Sequence, residues 1–322
     1  MRRARVAVLT ILGLSLGMFV VIAALAMLNE GVGRFLATLS SINLFYYALA
    51  LVCVLASSVV GFPKWSMFVR KLGIRIDWRK NFPIYLSMFS MDITPGRWGR
   101  AVVAYTLNRI TGVRFGKTFP AVVADILTDF LGFIAVAVFF SFLVHAYALV
   151  SIVISVLLLI PFFFIYVRPP YEWVKRKLKK RKMLKGVFSV ADLYFKSSRS
   201  LDAGTYAYAM LFTIPAVILS SLALYFVILS FGIGIAPELL PTVLFIYTSS
   251  LLIGMVTGIP GTLGVTDAVL LGYLVAFFGA AGITFGIAAA IVIFFRIASM
   301  WFTEGVSTVF LVYTMRYWKI RR

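Results

Sequence analysis

Long apolar stretches, separated by short basic segments, dominate the chain. Several exceed the roughly 20 residues that a helix needs to cross hydrocarbon, where helices satisfy their own backbone hydrogen bonds. The stretches are continuous rather than alternating, which argues against a β-barrel. The predicted spans are residues 6–28, 42–62, 119–145, 149–167, 206–229 and 285–313. The pattern therefore predicts an all-α integral membrane protein, a polytopic helix bundle.

Two further apolar segments are interrupted in the middle by Pro-Gly pairs. Residues 82–107 lie between two basic clusters, so this segment is expected to enter and leave by one face. Its arms hold about a dozen residues each, or roughly 18 Å of helix, about half the hydrocarbon thickness. A re-entrant hairpin is therefore predicted. Residues 241–280 form the second interrupted segment, and its two arms are long enough for either a re-entrant hairpin or two full spans.

Both interruptions read PGxxG. The residues that match are Pro95, Gly96 and Gly99 in the first motif and Pro260, Gly261 and Gly264 in the second. The flanking spans are similarly spaced and run in opposite directions, which predicts an inverted-topology repeat, an arrangement that places a site at the midplane of many secondary transporters. The chain is interpreted as one membrane domain, 1–322, divided into a first span and outer loop (1–41), a first repeat with an extra span (42–167), a basic cytoplasmic loop (168–203) and a second repeat (204–322).

Composition excludes a soluble protein, since 62% of the residues are hydrophobic and only 13% are charged. The net charge of +20 falls mainly in five basic clusters, one of which begins at Lys64. The positive-inside rule predicts that these clusters and both termini are cytoplasmic, with the chain in the cell membrane, and the same distribution argues against a nucleic-acid partner. One cysteine and one histidine predict neither a disulfide nor a metal cofactor.

A few charged residues lie within the apolar segments, where each costs on the order of 2.5–3.5 kcal/mol near a helix centre. They are Asp92, Arg97, Arg100, Asp125, Asp129, Asp267, Arg296 and Glu304. One interpretation is that they form structural ion pairs. The other is that Arg97, Arg100 and Arg296 bind a phosphate headgroup, because the guanidinium fork matches phosphate, while aspartates orient the arginines or take up protons. The two interpretations are compatible with each other.

The motif residues add to such a site. Proline suits the first helical position and glycine permits close approach, so each PGxxG is predicted to start a half-helix whose free N–H groups favour an anion. Thr94 can cap the first half-helix, whereas Ile259 cannot cap the second. The candidate substrate-binding residues are therefore Arg97, Arg100, Asp125, Asp129, Asp267 and Arg296, with Pro95, Gly96, Gly99, Pro260, Gly261 and Gly264.

The segment from Thr94 to Phe133 resembles the first signature of the lysylphosphatidylglycerol synthase transmembrane-region family, also called flippase-like proteins. The segment from Gly258 to Phe302 is similar to the second signature. Members commonly read P-x-R-x-G-E, then E-R-x-x-D, then P-G-G-x-G-x-x-E and a late Arg. The positions that match are Pro95, Arg97, Gly99, Asp129, Pro260, Gly261, Gly264 and Arg296. At five positions the chain departs from these patterns: Arg100 and Asp125 each replace a Glu, Ile126 replaces an Arg, Thr262 replaces a Gly, and Asp267 stands at the acidic position where members have Glu.

The resemblance implies a stand-alone flippase-like protein, because the chain has no room for the soluble aminoacyl-transferase domain of bifunctional members. Such a protein is expected to translocate an anionic lipid, for example a phospholipid or a polyprenyl-phosphate-linked lipid. Some stand-alone members accompany glycosyltransferases, which are therefore an implied partner. Two alternatives stay open: a secondary transporter of a small anionic solute, and a membrane-embedded transferase. The chain is not expected to be an enzyme, since it shows no nucleotide-binding loop and no Cys/His cluster.

Overall fold

The computed structural model describes residues 2–144, 168–178 and 200–317, apart from 235 and 258, together with residues 152, 156, 188, 189, 192 and 195. Within these residues every regular element is helical, and five helices are long and apolar enough to cross a membrane, or up to six if one bent pair counts as a span. The predicted all-α polytopic fold is confirmed. The predicted span 149–167, apart from residues 152 and 156, and about half of the basic loop 168–203 lie outside the described residues.

The N-terminal helix α1 (Arg2–Glu30) is followed by a second helix, α2 (Val32–Ser40), bent by 118° from it. The segment that the sequence pattern predicts as an outer loop contains this short helix, which the pattern did not indicate. Its physical basis is one apolar stripe, which buries Phe35 completely while most other positions are exposed. The Glu30 carboxylate accepts a hydrogen bond of 2.7 Å from the backbone N–H of Gly286, so the bend is tied to the C-terminal half.

Three long helices form the frame of the bundle. The first is the nearly continuous pair α3 (Leu44–Val60) and α4 (Phe62–Lys71), and the second is α7 (Phe115–Val144). The third is α9 (Ala203–Ser230), which follows the shorter helix α8 (Arg168–Leu178) of the basic loop. Helix α9 packs along α3 and also against α7. Small residues permit this contact: a Cβ added to Gly132 of α7 would lie 2.3 Å from Thr213 Cγ2 of α9.

The first interrupted segment consists of α5 (Trp78–Ser87), short 3₁₀ turns at Met88–Met91 and Pro95–Arg100, and α6 (Ala101–Thr111). The two helices contain 10 and 11 residues. At 1.5 Å per residue they are roughly 15 and 17 Å long, about half the thickness of the hydrocarbon core. Their lengths agree with the predicted arms of a hairpin.

The second interrupted segment has longer arms. Helix α10 (Leu240–Val256) has 17 residues and α11 (Val265–Phe278) has 14, with a 3₁₀ turn at Pro260–Thr262 between them. The first arm, taken from Pro237 to Met255, is long and apolar enough to span, whereas the arm from Val265 to Ala281 is shorter than a span. The two interrupted segments therefore differ in length although their turns share one motif.

The last span is a single run of helix with an irregular middle. Helix α12 (Phe285–Arg296) passes into a π-helical segment (Ile297–Phe302) and then into α13 (Thr303–Tyr317). Arg296 is the last residue before the π-helical segment. Such bulges shift the register of a helix and are frequent at functional sites. Three consecutive alanines of α12, Ala288 to Ala290, are fully buried and permit close packing.

Candidate functional site

The two PGxxG turns contact each other. A Cβ added to Gly261 would lie 3.3 Å from Cγ1 of Ile93, just before the first motif. In each turn the residue after the Pro-Gly pair has a left-handed backbone, with φ of 58° at Arg97 and 55° at Thr262. This conformation costs a non-glycine residue roughly 1–2 kcal/mol. Equivalent positions of the two motifs therefore share the same strained conformation.

Arg100 is the centre of an ion-pair network in the first half of the chain. Its side chain is 1% exposed. Its Nε and Nη2 donate to the two carboxylate oxygens of Asp92, both at 2.6 Å, and its Nη1 donates to Asp125 and Asp129, both at 2.8 Å. The guanidinium also lies 4.9 Å from the ring centroid of Phe89. With its donors engaged by three carboxylates, Arg100 holds α6, α7 and the intervening turns together.

Lys64, which the sequence pattern groups with the basic cluster that follows it, belongs to this network. Its side chain is buried, and its ammonium lies 3.0 Å from Asp125 Oδ1 and 2.5 Å from Asp129 Oδ1. Helix α4 buries Lys64, Trp65 and Phe68. Lys64 reaches α7, whereas Trp65 donates to Asn81 of α5 and Phe68 contacts Tyr206 of α9. The apolar face of α4 thus brings a lysine to two aspartates that share one face of α7.

Arg97 and Asp129 lie at the edge of the network, where they are less buried. Arg97 Nη1 donates to Asp129 Oδ2 at 3.2 Å, and its side chain is 23% exposed. Its Nε is 3.8 Å from Asp92, too far for a hydrogen bond, and its guanidinium lies over the Phe133 ring. In contrast to Arg100, Arg97 keeps donor capacity for a further group.

The second half of the chain contributes a separate pair, Arg296 and Asp267. Arg296 Nε donates to Asp267, and its Nη1 is 3.5 Å from the carbonyl oxygen of Gly261 in the second motif. The other oxygen of Asp267 accepts a hydrogen bond of 2.9 Å from the backbone N–H of Gly264. The Nη2 atom of Arg296 is buried and has no hydrogen-bond partner in the described structure. This arginine therefore also has an unused donor.

A cavity of about 460 Å³ lies between the two halves. Its polar lining includes Arg97 and Asp129 from the first half and Arg296 from the second. Apolar side chains supply much of the remaining wall, among them Phe130, Leu251, Leu270 and Phe295. The cavity is therefore amphipathic, with two arginines that retain donors facing an apolar space.

A smaller cavity of about 130 Å³ adjoins the first and shares Asp92, Arg97, Asp129 and Tyr247 with it. Its lining is rich in hydroxyl groups: Ser57, Ser58, Tyr85, Thr213 and Ser220, together with Ser299 and Thr303, which line both cavities. Ser57 and Ser220 donate their hydroxyl hydrogens to carbonyl groups of their own helices. Their lone pairs remain able to accept hydrogen bonds from a polar group in this cavity.

The half-helices begin later than the motifs predict. In the first half a 3₁₀ turn starts at Pro95 and α6 starts only at Ala101; in the second, α11 starts at Val265, after the last motif glycine. Thr94 accepts a hydrogen bond from the N–H of Gly99 rather than capping the first turn. At the second half-helix Asp267 accepts the N–H of Gly264. The N–H groups predicted for a ligand are thus partly used by the chain itself.

The candidate residues consequently fall into three groups. Arg97, Asp129, Gly261 and Arg296 line the large cavity. Arg100 and Asp125 lie in the buried network behind it, and Asp267 holds Arg296. The turn residues Pro95, Gly96, Gly99, Pro260 and Gly264 form the backbone that brings these groups together.

Sequence reasoning omitted three residues from this site. Asp92 and Glu304 are recognisable as charges within apolar segments but had no place in the predicted site, and both line the large cavity. Lys64 was grouped with the basic residues after it. A signal for Lys64 was present, because it is four residues before Phe68 and therefore shares a helix face with an apolar side chain.

Comparison with known proteins gives a consistent family. A sequence model described as "Lysylphosphatidylglycerol synthase TM region" matches residues 8–305. Two proteins of Methanothermobacter thermautotrophicus, each named "UPF0104 membrane protein", are similar to this chain. One is 25% identical over 276 residues, covering 78% of this chain and 80% of the relative. The other is 24% identical over 306 residues, covering 84% and 83%.

Proposed function

The chain belongs to the lysylphosphatidylglycerol synthase TM region family, and from this premise and the site geometry we propose that it is a lipid translocase rather than an enzyme. Its substrate is an anionic lipid, either a phospholipid or a polyprenyl-phosphate-linked lipid. The protein acts in the cell membrane with both termini and the basic loop in the cytoplasm, and a glycosyltransferase is a partner consistent with a sugar-bearing substrate.

The observation that carries this proposal is the pair of adjoining cavities joined at Arg97 and Asp129. An amphiphile has a polar headgroup and an apolar chain, and the two cavities offer a polar, hydroxyl-lined space beside a larger space with apolar walls. A phosphate at the junction lies within the reach of Arg97, whose donors are incompletely used, while Arg296 presents its free Nη2 from the opposite half. Hydroxyl groups of a glycerol or sugar headgroup suit the acceptor oxygens of the smaller cavity.

The energetic role of such a site follows from the barrier to lipid flipping. Moving a charged headgroup into hydrocarbon without hydrogen-bond partners costs a large free energy, because an unpaired buried charge is strongly disfavoured. Fixed arginine donors and hydroxyl oxygens replace the water that the headgroup loses. The residues thereby lower the barrier without supplying a chemical step, while the apolar chain stays in an apolar environment.

Transport in proteoliposomes tests the proposal. Arg97→Gln and Arg296→Gln remove a guanidinium from the large cavity and should reduce the translocation rate of fluorescent phosphatidylglycerol by at least about tenfold, since loss of one charge-assisted hydrogen bond is worth roughly 1.5–3 kcal/mol. Arg109→Gln is the matched control, because Arg109 is exposed on α6 and bonds only Tyr105 among the described contacts. The control should translocate as the parent does.

A small-solute transporter is the second candidate, and the 130 Å³ polar cavity is the observation that favours it. Uptake of radiolabelled glycerol phosphate by the same proteoliposomes separates the two. The lipid proposal is contradicted if the parent takes up glycerol phosphate but does not translocate phosphatidylglycerol or a polyprenyl phosphate. It is also contradicted if both glutamine variants translocate lipid at the rate of the parent.

A further inference from the structure

Glu304 is a carboxylate of the site cavity that has no counter-ion. It lies in the first turn of α13 and lines the 460 Å³ cavity together with Arg97 and Arg296. Its Oε1 atom is buried and has no hydrogen-bond partner in the described structure. No ion pair joins it to a cation among the described side chains. In this respect it differs from the four aspartates of the site, each of which is paired.

One backbone N–H group, but no cationic side chain among those described, pairs with the Glu304 carboxylate. Helix α13 packs against α5 and the turn Met88–Met91. Asp92, close to this turn, repels an ionised Glu304, while Arg97 and Arg100 lie against Asp92 and form no ion pair with Glu304. The backbone N–H of Ile93 donates a hydrogen bond to the Glu304 carboxylate. Arg79 and Lys80 are at the other end of α5, away from the turn. Thr303, beside Glu304 on α13, has a buried hydroxyl oxygen without a partner.

The net charge of the site depends on whether Glu304 is protonated, and it determines how favourably an anion binds there. The cations of the network and the second pair are Lys64, Arg97, Arg100 and Arg296. The carboxylates are Asp92, Asp125, Asp129, Asp267 and Glu304. The site is therefore neutral when Glu304 is protonated and carries one negative charge when it is ionised. A phosphodiester that enters the ionised site meets a like charge in a poorly hydrated cavity.

We propose that Glu304 is a proton-binding residue of the translocation site, and that a phosphate-bearing ligand and one proton bind this cavity together. The inference rests on the proposed function and adds that lipid binding is coupled to the binding of one proton. Binding equilibria are reciprocal, so a protonated Glu304 strengthens phosphate binding and bound phosphate favours the protonated Glu304 by the same factor. A monoanionic headgroup and one proton move together without net charge. Their movement therefore responds to a pH gradient and not directly to the membrane potential.

The binding of dioctanoyl phosphatidylglycerol to the purified full-length chain in nanodiscs, measured between pH 5.5 and 8.5, tests this proposal. For the parent, affinity should fall as pH rises, by up to about tenfold per pH unit, the limit for one linked proton. Glu304→Gln mimics the neutral carboxyl, so its affinity should equal that of the parent at low pH and should not change with pH. Glu304→Asp keeps a titrating carboxyl and should retain a pH dependence.

Glu238→Gln is the matched control, because Glu238 is exposed in the turn Pro237–Leu239, outside the cavity, and this variant should behave as the parent does. Glycerophosphoglycerol, a soluble phosphodiester that does not titrate in this pH range, shows in a parallel series whether the coupled phosphate belongs to a lipid or to a free solute. A parent that binds either phosphate ligand with no pH dependence, or a Glu304→Gln variant that keeps the pH dependence of the parent, overturns the coupling but leaves translocation standing. A parent that binds neither ligand at any pH overturns both proposals.

Discussion

The two motif regions share a left-handed residue after the Pro-Gly pair but have very different electrostatic surroundings. Around Pro95–Arg100 three cations and three aspartates form a closed network, and Arg100 within it is almost completely buried. Around Pro260–Thr262 a single arginine pairs with a single aspartate, and one guanidinium nitrogen stays unbonded. The first region therefore uses most of its charges to fix the fold and presents Arg97 to the cavity from the edge of the network, whereas the second region leaves its single arginine available to the cavity.

The largest expected effect comes from removing the central cation of each region. Arg100→Leu leaves three aspartates without a shared partner, and breaking a buried pair in this way costs about 3–5 kcal/mol. Arg296→Leu should cost less, roughly 1–3 kcal/mol, because Asp267 still accepts the N–H of Gly264 at the start of α11. Thermal unfolding in detergent, detected as the loss of the monodisperse peak in size-exclusion chromatography, should show a much larger decrease in midpoint for Arg100→Leu.

Arg109→Leu provides the control for loss of an arginine from a helix surface, and its midpoint should stay close to that of the parent. Equal midpoints for Arg100→Leu and Arg296→Leu would contradict the division into a structural and a ligand-facing region.

A medium effect is expected at the last glycine of each motif, which is required for a different reason in each region. A Cβ at position 99 would lie 2.6 Å from Met91 Cβ and 2.7 Å from the Met91 carbonyl oxygen. At position 264 the restriction is the backbone, with φ 86° and ψ −53°, while the nearest atom to a Cβ is the mobile end of Met18. Substitution by alanine at either position should lower the free energy of unfolding by about 1–3 kcal/mol.

Side-chain size separates the two causes. Gly99→Ser should unfold at a lower temperature than Gly99→Ala, because the serine adds an atom to an already overfilled space. Gly264→Ser and Gly264→Ala should unfold at similar temperatures, because backbone strain does not depend on the atoms beyond the Cβ. Thermal midpoints of the four variants measure this, and a clear size dependence at position 264 would count against backbone strain there.

The smallest expected effect is a stabilisation. Thr262 has φ 55°, a conformation that glycine adopts without steric cost. Thr262→Gly should therefore relieve part of the strain. Glycine also raises the conformational entropy of the unfolded chain, so the net increase in the free energy of unfolding should be below about 1 kcal/mol. A small rise in the thermal midpoint is the expected result. A decrease would mean that the contacts of the Thr262 side chain outweigh its backbone strain.

Which helices exist was determined largely by the sequence alone, because a span needs only length and apolar composition, and both are local properties. The same holds for family membership, which followed from the two PGxxG signatures, and for the breaks at Pro95 and Pro260. The helix α2 was missed since its apolar stripe is short, and its burial depends on a bend that a local pattern does not encode.

Only the tertiary structure decided which charges meet. Lys64 looked like one more cytoplasmic cation because it begins a basic cluster, but the packing of α4 against α7 turns it towards Asp125 and Asp129. Arg97 and Arg100, three residues apart, were both predicted to bind a phosphate, yet the structure leaves Arg97, which has a left-handed backbone, at the cavity and buries Arg100. Ion pairing between distant segments is set by the spatial arrangement of whole helices, and for that reason no single segment of the sequence could show it.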